Sequence, residues 1–402
     1  MGEIFRAAKV SDHVYWVGAI DWEIKDFHGY LTQRGSTYNA YLILADKVTL
    51  IDTVKKPFMG EMLARIASVI DPANIEYIIS NHSEMDHSGG LPEAINILKP
   101  EKVFASAIGT KTLEQEFHTG YEFIAAKDGE SISLGNLNLT FMETKMLHWP
   151  DSMVTYLAED HLLFSQDAFG MHLASSERFA DEIDEWIIEF EGAKYFANIL
   201  LALSSLIIRT LDKIVNLGIK IDIIAPDHGP IWRKDIDRVL GYYIKWANQK
   251  PEKKAVVVYD TMWHSTELMA RSIVDGLIAG GVSAKLMSLK SFHRSDIVTD
   301  ILDAGAILVG SPTMNSNIFP TIADVLTYLK GLRPQNLLGT AFGSYGWSGE
   351  AVGHLKDMLT EMKVDMIGDG IKFRYVPDKE SLAQCFAYGT TFAKELIQRC
   401  ET

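Results

Sequence analysis

Asn81-His82-Ser83-Glu84-Met85-Asp86-His87-Ser88-Gly89-Gly90 follows the strand-like run Ile75 to Ser80 and sets two imidazoles and two carboxylates within six residues. A lone His or Asp there would read as a solvated loop residue, because loops carry polar side chains. Four together form a metal-ligand pattern, since imidazole and carboxylate are the standard ligands of borderline and hard metals. The small residues that follow let the chain turn tightly. Three more polar groups stand at strand-to-loop edges downstream. Met146-Leu147-His148-Trp149-Pro150-Asp151-Ser152 follows a strand ending near Thr144. Phe164-Ser165-Gln166-Asp167 follows His161 to Leu163, and Ala225-Pro226-Asp227-His228-Gly229-Pro230 follows Ile221 to Ile224. Each of these alone is an ordinary polar loop.

Around this segment the chain has 402 residues, which suits two or three domains. It is 47% hydrophobic and 23% charged, ordinary for a globular protein. A net charge of -15 argues against nucleic acid, whose phosphates need clustered Lys and Arg. Met1 to Val10 carries Glu3, Arg6 and Lys9 and has no apolar core, so no signal peptide is expected. No run of about 18 apolar residues predicts a membrane span. The two cysteines, Cys385 and Cys400, form no CxxC, so neither a disulfide scaffold nor a thiolate cluster is built in. A reducing cytoplasm is the expected compartment.

The texture changes once. Up to Trp246 the chain reads as short strands with a few helices: one after Pro57 (Met62, Ile66, Ile70), and a mostly helical stretch over 176–216 with a break at Gly192. The polar, Pro-containing segment Ala247 to Lys254 then predicts a boundary, giving domains 1–250 and 251–402. Beyond it, strands Ala255 to Tyr259, Ala284 to Ser288, Ala306 to Gly310 and Gly339 to Gly343 alternate with helices, of which Thr266 to Gly280 is the clearest. That alternation predicts an α/β, doubly wound parallel sheet.

The first strand of this second domain runs into Thr261-Met262-Trp263-His264-Ser265-Thr266 and then a helix. Hydroxyls beside a helix N-terminus make a phosphate site. No Lys or Arg stands in the loop, which suits a flavin monophosphate held by neutral donors and not a Walker-type site. Two later loops lie at carboxyl ends of parallel strands, where open α/β sheets bind ligands. They are Pro312-Thr313-Met314-Asn315 and Ser344-Tyr345-Gly346-Trp347-Ser348-Gly349, small, polar and aromatic enough to flank an isoalloxazine ring.

The four polar groups of the first domain, in that order, resemble the metallo-β-lactamase fold, an αββα sandwich with two metals at one end. Zinc hydrolases of that fold use His-x-His-x-Asp-His, and here Glu84 replaces the second His. The ligand set is then His82, His148 and His228 with Glu84, Asp86 and Asp167. A carboxylate-rich set suits non-heme iron, although ligand type alone admits zinc or manganese. The three later loops resemble the flavodoxin pattern of one phosphate loop and two ring-flanking loops. They depart from it at His264, where a Gly is usual.

The two domains in this order resemble the flavodiiron proteins. That resemblance implies reduction of O2 to water or NO to N2O at a diiron site fed by FMN. It implies one iron on His82, Glu84 and His148, the other on Asp86 and His228, and Asp167 bridging. His87 is a further ligand candidate, since the matching residue ligates in some relatives and not in others. His172 and Tyr195 are candidates for bonding the gas or relaying protons. The resemblance further implies a rubredoxin-like donor, with reduced F420 as the alternative. It also implies a head-to-tail homodimer or dimer of dimers. The rival reading is a zinc hydrolase with a flavodoxin-like appendage, against which Glu84 and the FMN loops argue. Replacing Glu84 by Ala or His should lower bound iron and gas reduction together. Full iron content and unchanged turnover in Glu84→Ala would refute the assignment.

Overall fold

A computed structural model of the protein describes residues 5–216 and 218–401, so the first four residues of the Met1 to Val10 segment lie outside it. The chain packs as two compact units: Met1–Tyr195 with Ser205–Ile244, and Phe196–Ser204 with Lys245–Thr402.

In the first unit a seven-stranded sheet runs Ala8–Lys9, Val14–Trp16, Tyr41–Ile43, Thr49–Ile51, Tyr77–Ser80, Lys102–Ser106, Ile124–Ala126. A five-stranded sheet runs Ser131–Ser133, Asn138–Glu143, Met153–Leu157, Leu162–Gln166, Ile223–Pro226. Successive side chains on a strand point to opposite faces, and that alternation builds the layers. Tyr77, Ile79, Leu139, Phe141, Leu162 and Phe164 share one core. Ile78 turns the other way and packs with Met62 and Ile66 of helix Met59–Ala67 and Leu91 of helix Leu91–Leu98. Met142 and Leu163 likewise turn outward, against Ile214 of helix Ser204–Asn216. The result is the expected αββα sandwich.

The second unit is a parallel sheet in the order Ser283–Ser288, Glu252–Tyr259, Ala304–Gly310, Leu338–Tyr345, with Asp365–Met366 and Ile371–Arg374 both on the last of these. This is the flavodoxin-like order. Helices Ser265–Ala279 and Lys379–Glu401 share its core through Met269, Ile273, Leu277, Phe392 and Leu396. Glycines set their separation. A Cβ on Gly276 would sit 2.1 Å from Phe386 O, and one on Gly389 would sit 2.2 Å from Ile273 O.

Two local expectations fail. Gly192 lies inside helix Glu185–Tyr195 and breaks nothing; the irregularity comes later, as a π turn at Phe196–Leu200 and a 3-10 turn at Leu201–Leu203. Residues Phe196–Ser204 pack with the second unit. Asn198 Nδ2 donates to Ser295 O at 3.2 Å, and Tyr328 Oη donates to Asn198 Oδ1 at 3.0 Å. Helix Ile236–Asn248 also extends two residues into the segment expected to be the break. The connection that remains is pinned by buried Gln249, whose Oε1 accepts from Gln335 N at 2.8 Å and whose Nε2 donates to Ser204 Oγ at 3.1 Å. Polarity at Gln249 thus reflects bonding, not exposure.

Gly389→Val should push the two helices apart and destabilise the second unit by about 1–3 kcal/mol. Urea unfolding followed by flavin fluorescence would measure it, and an unchanged midpoint would show that the helices do not meet this closely.

Candidate metal centre and flavin pocket

Asn81 ties both sheets together where the first loop begins. Its N and Nδ2 donate to Asp52 Oδ1 and Oδ2 at 2.7 and 2.8 Å, and its Oδ1 accepts from Thr155 Oγ1 at 2.7 Å. His82 and Glu84 follow on the loop, and the single-turn helix Met85–Ser88 turns Asp86 and His87 inward. Asn138–Glu143 and Leu162–Gln166 both pair antiparallel with Met153–Leu157, so they point the same way. Ile223–Pro226 is parallel to the latter. Their ends therefore deliver His148, Asp167 and His228 to one edge.

The seven side chains fall into two groups: His82, Glu84, His148 and Asp167, and Asp86, His87 and His228. Asp167 serves both. Its Oδ2 lies 2.9 Å from His148 Nε2 and 3.5 Å from His82 Nε2, and its Oδ1 lies 3.1 Å from His87 Nε2 and 3.5 Å from His228 Nε2. Glu84 Oε2 is 3.2 and 3.3 Å from the Nε2 atoms of His148 and His82, and Asp86 Oδ2 is 3.2 Å from His228 Nε2. Two ligands bonded at about 2.1 Å to one ion stand roughly 3.0–3.4 Å apart between octahedral and tetrahedral angles. The observed spacings are those of a coordination shell. Both Asp86 oxygens and both His87 nitrogens are buried without a hydrogen bond, as is Asp167 Oδ1. Buried polar atoms are rarely left so, and a pair of cations answers them. The donors fit two metal ions.

Residues behind the ligands orient them. Asp151 Oδ2 lies 3.3 Å from His82 Nδ1 and accepts from Ser83 N and Oγ, each at 2.7 Å. His228 Nδ1 is 2.6 Å from Thr37 O and 3.3 Å from Ser36 Oγ. Burial alone would depress the His82 imidazole, but its bonds to Asp151 and Glu84 and the charge of Asp167 hold it up at about 10. His87 and His148 are likewise raised against burial by their carboxylate neighbours. Burial raises Asp86 and Asp167, and the imidazoles more than reverse this, leaving both low. Without metal, carboxylate neighbours favour the protonated form of His82, His87 and His148. Burial pushes Asp227 up as well, with Asp52 beside it, and Asp52 itself to about 6.

His172 and Tyr195 close one side. The His172 ring lies 4.6 Å from His228 and 5.2 Å from Tyr195, and its Nδ1 is 2.8 Å from Ser36 Oγ. Its Nε2 is buried with no hydrogen bond, and burial together with His228 holds its pKa well below the usual imidazole value. Burial raises the Tyr195 hydroxyl. Phe27, 4.9 Å from His172, extends this wall.

In the second unit a cavity of about 440 Å³ brings together Thr261, Met262, Trp263 and Ser265, then Pro312 and Thr313, then Ser344, Tyr345, Gly346 and Trp347. That volume suits a cofactor site. His264, Thr266, Met314, Asn315, Ser348 and Gly349 stand off its wall, whereas Tyr375 and Val376, which the loop pattern did not predict, line it. Thr261 Oγ1 is buried without a partner beside the N-terminus of helix Ser265–Ala279, which suits a phosphate. His264 takes φ +67°, the left-handed conformation that explains the usual Gly, and its Nδ1 is held 2.8 Å from Glu267 Oε2. Thr266 Oγ1 is bonded to Ser344 Oγ at 2.9 Å, joining two of the loops. Arg374 Nε and Lys372 Nζ donate to Gly346 O and Gly349 O at 2.6 and 3.1 Å, bracing the third loop from the edge strand.

Known proteins share this arrangement. The family model for ODP family beta lactamase matches residues 37–229, and the Flavodoxin model matches 257–389. A nitric oxide reductase of Moorella thermoacetica is 45% identical over 391 residues, covering 96% of this chain and 98% of the relative. The solved rubredoxin oxygen:oxidoreductase from Desulfovibrio gigas superposes with a TM-score of 0.96 at 44% identity, over 99% of this chain and 100% of that one. The flavodiiron protein from Giardia intestinalis superposes with a TM-score of 0.95 at 33% identity, over 98% of each chain.

Because His82, His87 and His148 are raised by their carboxylate neighbours, loading should expel their protons, and metal affinity should rise with pH. Adding ferrous iron to metal-free protein at pH 7 in weak buffer should release protons, read with an indicator dye. Uptake with no proton release would contradict the pairing. Thr261→Ala should weaken FMN binding about tenfold, roughly 1.4 kcal/mol, by fluorescence titration. Unchanged affinity would remove that hydroxyl from the phosphate site.

Proposed function

The chain belongs to the flavodiiron proteins, and from that membership we propose that it reduces O2 to water, NO to N2O, or both, with electrons relayed through FMN. Asp167 is the observation that carries this reading, one carboxylate presenting an oxygen to each of two ligand groups. The hydrolase alternative fits less well: Glu84 stands in one group where that chemistry places a His, and the second unit offers a flavin cavity. We assign His82, Glu84 and His148 to one iron, Asp86 and His228 to the other, and Asp167 between them. The 3.1 Å from His87 Nε2 to Asp167 Oδ1 supports His87 on the second iron.

Bound iron and FMN supply the electrons and the open coordination positions that reduction of a diatomic needs. The chain supplies the rest. Asp151, Thr37 and Ser36 aim the ligand imidazoles. His172, neutral and with Nε2 free of hydrogen bonds, is placed to hold a bond to a small polar ligand, and Tyr195 beside it to give or take a proton. Phe27 and Tyr30 keep water off His172.

We read residues 1–250 and 251–402 as the two functional modules. Two cysteines are too few for a four-thiolate iron centre within these residues, so electrons reach FMN from outside them. We assign a rubredoxin-like donor, with reduced F420 as the competitor. Trp263 and Trp347, 86% and 88% exposed beside the cavity, support a covering partner there, either the donor or a second copy in a head-to-tail homodimer or dimer of dimers. Two free thiols suit the cytoplasm, and among the described residues no helix is long and apolar enough to cross a membrane.

Purified protein should hold two irons and one FMN per chain, and zinc with no flavin would overturn the reading. In stopped flow, reduced rubredoxin should bleach the flavin faster than NADH or reduced F420 does. Bleaching by F420 and not by rubredoxin would replace the donor.

A further inference from the structure

On the outer face of the five-stranded sheet, behind the metal edge, lies an apolar void of about 10 Å³ walled by Leu147, Val154, Leu163, Ala168, Leu211 and Tyr243. Two of these residues adjoin ligands: Leu147 precedes His148 and Ala168 follows Asp167. Outward, the void shares Leu163, Phe169, Leu211 and Ile214 with a cleft of about 720 Å³ between helices Ser204–Asn216 and Ile236–Asn248. The cleft reaches solvent, where Val215 is 72% and Ile244 50% exposed. A buried water needs two to four polar partners. Here the Tyr243 hydroxyl already accepts from Phe169 N at 2.6 Å, and buried Thr144 Oγ1, also on the wall, has no partner. The rest of the wall is mostly hydrocarbon, which suits a small apolar molecule. The void holds roughly one water-sized sphere, the scale of a diatomic.

We infer that void and cleft form the path by which O2 or NO enters from the surface to the metal edge, an inference that rests on the gas-reducing function proposed above. Phe169 and Leu211 line both the void and the cleft, where a larger side chain would separate the two.

Crystals of the holoenzyme pressurised with xenon should show density in the void, and an empty void would overturn the path. Leu211→Trp should plug it. The second-order rate of gas reaction with reduced protein should fall about tenfold, with KM for the gas raised and kcat, iron content and flavin reduction unchanged. Ile207→Phe, on the same helix and the same wall, serves if the larger residue prevents folding. An unchanged second-order rate in a plugged variant that has lost xenon would overturn the path. If xenon binds but the wild type consumes neither gas, the functional reading fails, and the xenon site identifies that as the cause.

Discussion

Charge burial is the constraint on which the first unit depends. Seven ionisable side chains meet at one sheet edge, mostly out of water. An isolated buried charge is very costly, and such groups persist only when paired or metal-bound. Each imidazole here faces a carboxylate, and each carboxylate except Glu84 is buried almost completely. The surrounding fold is what makes this tolerable. Strand ends from two sheets converge within a few ångströms, and the bonds of Asn81 to Asp52 and Thr155 lock those sheets together at that spot.

The second unit solves a different problem. A flavin phosphate must be held without cations in its loop, so the donors are hydroxyls and helix N–H groups. Three loops from three parallel strands have to keep register, and the Thr266–Ser344 bond and the braces from Lys372 and Arg374 hold them. The glycine-spaced contact between helices Ser265–Ala279 and Lys379–Glu401 fixes the helix whose N-terminus faces the cavity.

Much of this was legible in the residues. The dense segment at His82 to His87 carries a strong local signal, His148, Asp167 and His228 count only together with it, and the structure gathers all seven. The αββα layers came from the resemblance that the order of these groups carries, because an apolar run such as Tyr77 to Ile79 does not show in sequence which side chain faces which layer. The orienting groups were harder to see. Asp52, Thr37 and Ser36 approach from distant strands, and nothing in their spacing marks them. Tyr375 and Val376 reach the flavin cavity from beyond an edge strand, for the same reason. Polarity misled at Gln249, because a side chain that bonds inside the protein looks, in sequence, like one that bonds water. Gly192 misled because a helix tolerates a glycine at modest cost.

The nine residues Phe196–Ser204 belong by packing to the second unit while their sequence neighbours belong to the first. Their partners, helices Arg294–Ile301 and Pro320–Leu332, lie well downstream in the chain. On a ribosome working at roughly 5–20 residues per second, this segment would wait about 6 to 26 seconds before Leu332 is made. Through that interval Phe196, Leu200 and Leu201, all buried in the finished protein, have no second unit to enter. Synthesis of the first unit thus ends with an apolar strip still exposed, a stage at which a chaperone would have something to hold.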